Sequence, residues 1–288
     1  MRVLTINVWS RSGPWEQRYA LLRRQIEALD PDLIGMQEVL SDGHRDLASE
    51  IVDGLGYATV FGAAKTLAEG IEFGNAILAR PPLTPFRDPL EGGADKTEPA
   101  PGEVPSSVAV TIPLPNAGVR DQRCLVGVRV ETHHGVLPFW CTHLAFRPHH
   151  GFVREAQVVS IARAIRRHRH DGDLAPVLVG DFNARPDATE MRFLRGLHSL
   201  EGESCFFIDA FEEVGRGPGY TRDPARNPFG ALHHDRSRRI DHIFVGSPDA
   251  RGRGRVTEAA VALDAVEDGV AGSDHFGVFA DIAYGPPS

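Results

Sequence analysis

The sequence predicts a mixed α/β sandwich of the α+β class, and three observations carry that expectation. Short apolar runs of strand type recur along the 288 residues, several of them joined by glycine-bearing turns. Only three segments show helical periodicity, too few to cover a wholly parallel sheet. Polar residues stand at the ends of the apolar runs, where packed-sheet proteins build their sites. At this length the chain can bury a core. With no internal repeat and no linker-like break, residues 1–288 are expected to form one domain.

"RVLTIN" opens as an apolar strand ending at Asn7. "YALLRRQIEAL" then places Leu22, Ile26 and Leu29 on one face, which predicts an amphipathic helix over 19–29 stopped by Asp30-Pro31. "DLIGMQEV" reads as a strand ending at Glu38, and "GYATVFG" and "GIEFGNAILAR" as further strand-like segments. From Thr84 to Ser107 the chain is rich in Pro, Gly and acid without periodicity, so 84–107 is expected to be a long surface loop. "VAVTIPL" and "CLVGVRVETHHGVLPFWCTHL" return to strand pattern, with a hairpin turn expected at His133-His134-Gly135.

A second helix is expected over 153–169, its stripe formed by Val158, Ile161, Ala162 and Ile165. "PVLVGD" is a buried strand closed by Gly180 and Asp181. A third helix follows, with Asp187 and Glu190 as a capping-box pair and Met191, Leu194 and Leu197 facing inward. "RRIDHIFVG" alternates as a strand, and "GSDHFGVFADI" supplies a loop and a last strand.

The formal charge of −8 argues against a protein that depends on non-specific grip of polyanions, although a local basic patch or bound cations would still permit one. The residues after Met1 do not form a secretory leader, and no apolar run approaches the ~18 residues that span a bilayer. Stable membrane insertion is therefore not expected. Three scattered cysteines, Cys124, Cys141 and Cys205, read as idle thiols in a reducing compartment, and the expected location is the cytoplasm. The pairs His149-His150 and His233-His234 lack zinc-ligand spacing, and no HExxH, GxSxG, Walker or GxGxxG pattern occurs.

The chemistry-bearing candidates are Asn7, Glu38, His143, the Asp181/Asn183 pair, Asp241 and the Asp274-His275 pair. Each alone has a plain structural explanation: a solvated strand end, a satisfied turn amide, a hydrogen-bonded core histidine. Together they offer what a hard cation and a phosphate require. Magnesium is commonly held by one or two carboxylates, with waters and substrate phosphate completing its shell. A buried Asp241 needs a partner, for which His275 is the candidate, and a carboxylate-oriented imidazole can move protons or bind phosphate. Arg147 and Arg154, with His149 and His150, form the candidate basic rim of a phosphate site.

The blocks "TINVW", "MQEV", "GNAIL", "CTHL", "GDFNA", "RIDHIFV" and "GSDHFGV", in that order, resemble the endonuclease/exonuclease/phosphatase superfamily, the fold of pancreatic deoxyribonuclease. The resemblance spans Asn7 to Phe279. It implies a four-layer α/β sandwich, with two packed mixed sheets flanked by helices, and a magnesium- or manganese-dependent phosphohydrolase. It places Asn7, Glu38 and Asp274 at the metal. Asp181 would activate water, Asn183 would hold a phosphate oxygen, His143 would stabilise transition-state charge, and Asp241 would orient His275. Asn75, in "GNAIL", and Asn227, in "GYTRDPARNPFG", join Arg147 and Arg154 as candidate substrate-binding residues. The implied activity is phosphodiester hydrolysis, with nucleic acid among the candidate substrates. The alternatives are a phosphomonoesterase on a small sugar, inositol or lipid phosphate, and a non-catalytic binding module on the same fold. No protein partner is inferable.

Overall fold

The computed structural model describes residues 1–86, 108–231 and 236–285. In chain order, β1 (Arg2–Asn7), α1 (Trp15–Leu29), β2 (Leu33–Ser41) and α2 (Leu47–Ile51) are followed by β3 (Ala58–Thr66), β4 (Glu72–Ala79) and β5 (Leu83–Thr84). Next come β6 (Ala109–Pro113), β7 (Cys124–Thr132), β8 (Gly135–His143), α3 (Gly151–Arg167) and β9 (Val177–Asp181). The remainder comprises α4 (Thr189–Leu194), β10 (Phe207–Asp209), α5 (Ala210–Val214), α6 (Pro228–Ala231) and β11 (Asp241–Gly246), then β12 (Arg255–Ala262), β13 (Val266–Glu267), β14 (Val270–Ala271) and β15 (Gly277–Ala283).

Two mixed sheets result, in the orders β12-β15-β1-β2-β4-β3 and β10-β11-β9-β8-β7-β5, with β6 also on β7. Within each sheet one neighbouring pair is parallel, β1 with β2 and β8 with β9. Parallel neighbours need a crossover, which α1 and α3 supply. Within each sheet the exits of the parallel pair therefore share one end, and the contact of Asn7, at the exit of β1, with Asp181, at the exit of β9, puts both ends together.

The apolar runs are continuous because both faces of each central strand are covered. Val3, Leu33, Val177 and Val179 pack in the seam between the sheets. Leu4, Ile6, Ile34 and Met36 face Leu22 and Ile26 of α1. Leu178 and Phe244 face Val158 and Ile161 of α3. Helix, sheet, sheet and helix thus form the four expected layers. The seam is narrow at Gly35, where an added Cβ would stand 2.4 Å from a methyl of Val179.

Several boundaries differ from expectation. α1 begins at Trp15, four residues early, and ends as predicted with Asp30 in the left-handed region (φ 54°). α3 runs Gly151–Arg167 rather than 153–169. α4 stops at Leu194, so Leu197 does not face inward and is 58% exposed. The capping box is absent, because Asp187 pairs with Arg185 and Glu190 is buried against Arg154 at 2.5 Å. Of the expected 84–107 loop, Thr84 belongs to β5 and Phe86 packs on Trp140, while 87–107 lie outside the described residues, as do His233 and His234. The hairpin at His133-His134 forms between β7 and β8. Cys124, Cys141 and Cys205 are free thiols. Among the described residues no helix is long and apolar enough to cross a membrane.

Candidate active site

Strand register assembles the site. On the second sheet His143 lies beside Asp181 across the parallel β8–β9 pair, and Asp241 lies beside Asp181 on the other flank. On the first sheet Asn7 ends β1 opposite Gln37. Glu38 follows at a bulge, where the register with β4 shifts between Gln37 and Val39 and Glu38 adopts a φ of 59°. A bulge re-aims the side chain it carries, and here that side chain joins the wall of a cavity of ≈ 630 Å³. His143, Asp181, Asn183, Asp274 and His275 line the same cavity.

One amide ties the two sheets. Nδ2 of Asn7 donates to Oε1 of Glu38 (3.2 Å) and to Oδ2 of Asp181 (3.1 Å). The Trp9 N–H donates to Oδ1 of Asn7 (2.9 Å), which fixes the amide with its NH₂ toward the carboxylates. Asp181 splits its oxygens between two duties. Oδ1 accepts from the Asn183 N–H (2.9 Å), ordinary turn chemistry that sets Asn183 in the left-handed region (φ 51°), while Oδ2 faces the cavity histidines. Nε2 of His143 lies 3.4 Å from that Oδ2, and Nε2 of His275 lies 3.8 Å away.

The 273–275 segment is held from behind. Ser273 Oγ donates to the Asn7 carbonyl (2.6 Å), and the His275 N–H donates to Ser273 Oγ (3.2 Å). Thr221 Oγ1 accepts from the N–H groups of Ile240 (3.2 Å) and Asp241 (3.3 Å).

Electrostatics separate the two imidazoles. Burial alone would lower the His275 pKa, but Asp241, at 2.9 Å from its Nδ1, and then Asp181 outweigh this and push it up to about 10. His143 is held well below the usual histidine range by burial and then by the Arg123 guanidinium. Burial, then Asp241, raise Asp181 to about 6 against the lowering effects of His275 and Asn7. Glu38 is raised by desolvation and then by Asp274.

Two donor sets could attract a cation. Atoms of Asp181, Asp241 and His275 lie within 4.8 Å of one another. In that trio, however, the 2.9 Å Asp241–His275 contact is a hydrogen bond with the proton between its atoms. Glu38 and Asp274 offer only oxygen, the donor type that hard divalent ions take. Asn7 sits beside them with its Oδ1 already engaged by Trp9.

The sequence pattern of the Endonuclease/Exonuclease/phosphatase family matches residues 4–275. The chain belongs to this family. Solved structures of the same fold include the endonuclease/exonuclease/phosphatase protein of Beutenbergia cavernae DSM 12333, with TM-score 0.67 and 22% identity over 99% of this chain and 72% of that one. D. rerio TDP2 complexed with single strand DNA product gives TM-score 0.70 and 17% identity over 97% of each chain. The human Nocturnin catalytic domain with bound sulfate anion gives 0.69 and 17% over 99% of this chain and 93% of that one. No curated protein sequence matches significantly.

Not every candidate residue reaches the cavity. Asn75 is buried, its Nδ2 donating to the Cys124 carbonyl (3.0 Å) and tying β4 to β7. Arg154 is buried too, spent on Glu190 and on the carbonyls of Ala145 (3.1 Å) and Arg147 (2.9 Å). Asn227 is fully buried, with Nδ2 on the Ser273 carbonyl (2.8 Å) and Oδ1 on the Phe229 N–H (3.0 Å). These three bond within the scaffold and are not among the residues that line the cavity. Arg147 lies over the Phe146 ring (5.1 Å) and is not among the cavity-lining residues.

The cations that do line the cavity are Lys65, Arg123, Arg222 and Arg238, joined by Trp9, Phe73 and Phe146. Arg222 pairs with Asp274. It lies in "GYTRDPARNPFG", the segment from which Asn227 was chosen, so that segment reaches the cavity through Arg222.

Proposed function

We propose that this chain is a divalent-cation-dependent phosphodiester hydrolase that directs a water in-line at phosphorus, with magnesium or manganese as the cation. The observation that carries the reading is that Asn7 joins Glu38 to Asp181 while two histidines flank that same aspartate, with Glu38, Asp181 and both histidines lining one cavity. Glu38 and Asp274 would hold the cation, with Asn7 alongside. Their donor chemistry fits one, because desolvation and mutual repulsion already raise Glu38, a penalty that positive charge would relieve. When bound, the cation supplies Lewis-acid polarisation of a phosphoryl oxygen and neutralises developing charge.

The protein's own groups do the rest. Asp181, with a pKa of about 6, is ionised at neutral pH yet basic enough to accept a proton from the attacking water. His275, kept protonated by Asp241, donates Nε2–H toward an oxygen that gains negative charge. His143 and the Asn183 amide are placed to hold phosphoryl oxygens. Loss of one such donor typically lowers kcat ~100-fold or more.

Nucleic acid is the favoured substrate class: the cavity sets aromatic rings among cations, and a DNA product occupies D. rerio TDP2 on this fold. A phosphomonoesterase acting on a small sugar, inositol or lipid phosphate is the second reading, favoured by the net charge of −8, which repels long polyanions. A steep loss of rate with salt marks the former and indifference to salt the latter. The decisive assay is cleavage of bis(p-nitrophenyl) phosphate with magnesium or manganese and its loss in chelator. Turnover by Asp181→Ala equal to wild type would refute the assignment.

A further inference from the structure

Nδ1 of each cavity histidine meets a partner of opposite character. For His275 the partner is the Asp241 carboxylate, an acceptor that calls for a proton on Nδ1. For His143 it is the guanidinium of Arg123, whose Nη1 lies 3.0 Å from Nδ1. Arginine only donates and stays charged. Nδ1 of His143 must therefore accept, and the ring's one proton resides on Nε2, the atom that faces Asp181 in the cavity.

Arg123 is itself anchored. Nη2 donates to Oδ2 of Asp121 (3.3 Å), and Nε stands 3.1 Å from Oδ1 of the same carboxylate. The Asp121 and Arg123 side chains are only 9% and 6% exposed, so little of the guanidinium remains for a ligand. Asp121 Oδ2 also accepts from the Phe146 N–H (3.3 Å), which fastens the backbone three residues beyond His143 to the same network.

We propose that Arg123 is a positioning residue that, braced by Asp121, fixes His143 in the Nε2–H tautomer so that the ring presents a single donor to the phosphoryl group. The catalytic consequence rests on the phosphodiesterase reading above; the tautomer does not. Burial and the adjacent positive charge both keep this ring from taking a second proton, in agreement with the contact geometry. The two rings thus differ in the role of Nδ1, an acceptor in His143 and a donor in His275, each set by what stands behind it.

Long-range ¹⁵N–¹H correlation of the histidine rings in the full chain tests this, with the His143 signals assigned by their loss in His143→Gln. At neutral pH the wild-type ring should show a protonated Nε2 and a bare Nδ1; a protonated Nδ1 overturns the proposal. In Arg123→Met the His143 signals should move to a tautomer mixture. The kcat on bis(p-nitrophenyl) phosphate should fall roughly 10–100-fold with little change in KM, the usual effect of losing a group that orients an active-site histidine. Arg123→Lys, which restores a donor, should recover part of that loss. A raised KM with unchanged ring signals would make Arg123 a substrate clamp and overturn the proposal. The wild-type spectrum decides even if the methionine variant does not fold. If no phosphodiester is cleaved, the functional reading fails while the tautomer is still read.

Discussion

Asp209 is the residue whose replacement the structure prices most clearly. It ends β10, accepts from the N–H groups of Phe211 (3.1 Å) and Glu212 (3.2 Å) as the cap of α5, and receives Arg239 at 2.7 and 2.8 Å and His242 Nδ1 at 3.1 Å. All three side chains are buried. Arg239 and His242 stand on either side of Ile240 and Asp241 in the chain, so this cluster braces the strand that presents Asp241 to His275. Asp209→Asn keeps a cap oxygen but strands a buried guanidinium, which typically destabilises by ~3–5 kcal/mol. At about 2–4 °C per kcal/mol the melting temperature should drop by roughly 6–20 °C at neutral pH.

Acidity offers a second reading of the same group. Burial would raise the Asp209 pKa, but the His242 contact and then Arg239 outweigh it and hold the carboxyl well below the ordinary range. A depressed pKa stabilises the fold above the unfolded value of ~3.9 and stops doing so as pH falls toward the folded one. The stability gap between wild type and Asp209→Asn should therefore be level from pH 8 to about 5 and narrow below about 4. Denaturant melts across that range measure it. A variant within ~0.5 kcal/mol of wild type at pH 7, the scatter of neutral surface substitutions, would refute the reasoning.

Three further outcomes follow from the geometry. Glu38→Gln should raise the divalent-ion concentration giving half-maximal rate, read by cation titration, since it removes one of two oxygen-donor carboxylates. Thr221→Val should destabilise by ~1–3 kcal/mol and lower kcat, because the buried N–H groups of Ile240 and Asp241 lose their acceptor; denaturant melts and initial rates check both. Gly127→Ala would place a Cβ 2.3 Å from the Trp140 ring and should destabilise by ~1–3 kcal/mol through overpacking, leaving the cation requirement unchanged.

The central strands and the polar residues at their exits were legible because a buried strand is a short apolar run that stops where its last side chain meets the cavity. Asn7, His143 and Asp181 carried that mark as the last residues of β1, β8 and β9, whereas Glu38 stands at a bulge inside β2, which runs on to Ser41, and Asp274 stands in the loop before β15. Direction was not legible. Asn75 and Asn227 sit in the right motifs, yet their amides turn into the scaffold, and a motif records identity without rotamer. Arg154 read as a surface cation because its partner, Glu190, lies 36 positions away. β12 went unseen for a different reason: a bulge between Val256 and Glu258 breaks its alternation. Its buried residues, Val256, Ala259 and Ala262, then recur every third position, which imitates a helix rather than a strand.

The contact between Gly35 and Val179 has a chemical meaning beyond packing. Asn7 and Glu38 ride on one sheet and His143, Asp181 and Asp241 on the other, and the Asn7 amide spans the division with bonds of ordinary length. The thickness of an apolar layer, set by a missing methyl group at Gly35, is therefore also the gauge to which the Asn7 amide and the Glu38 and Asp181 carboxylates are matched.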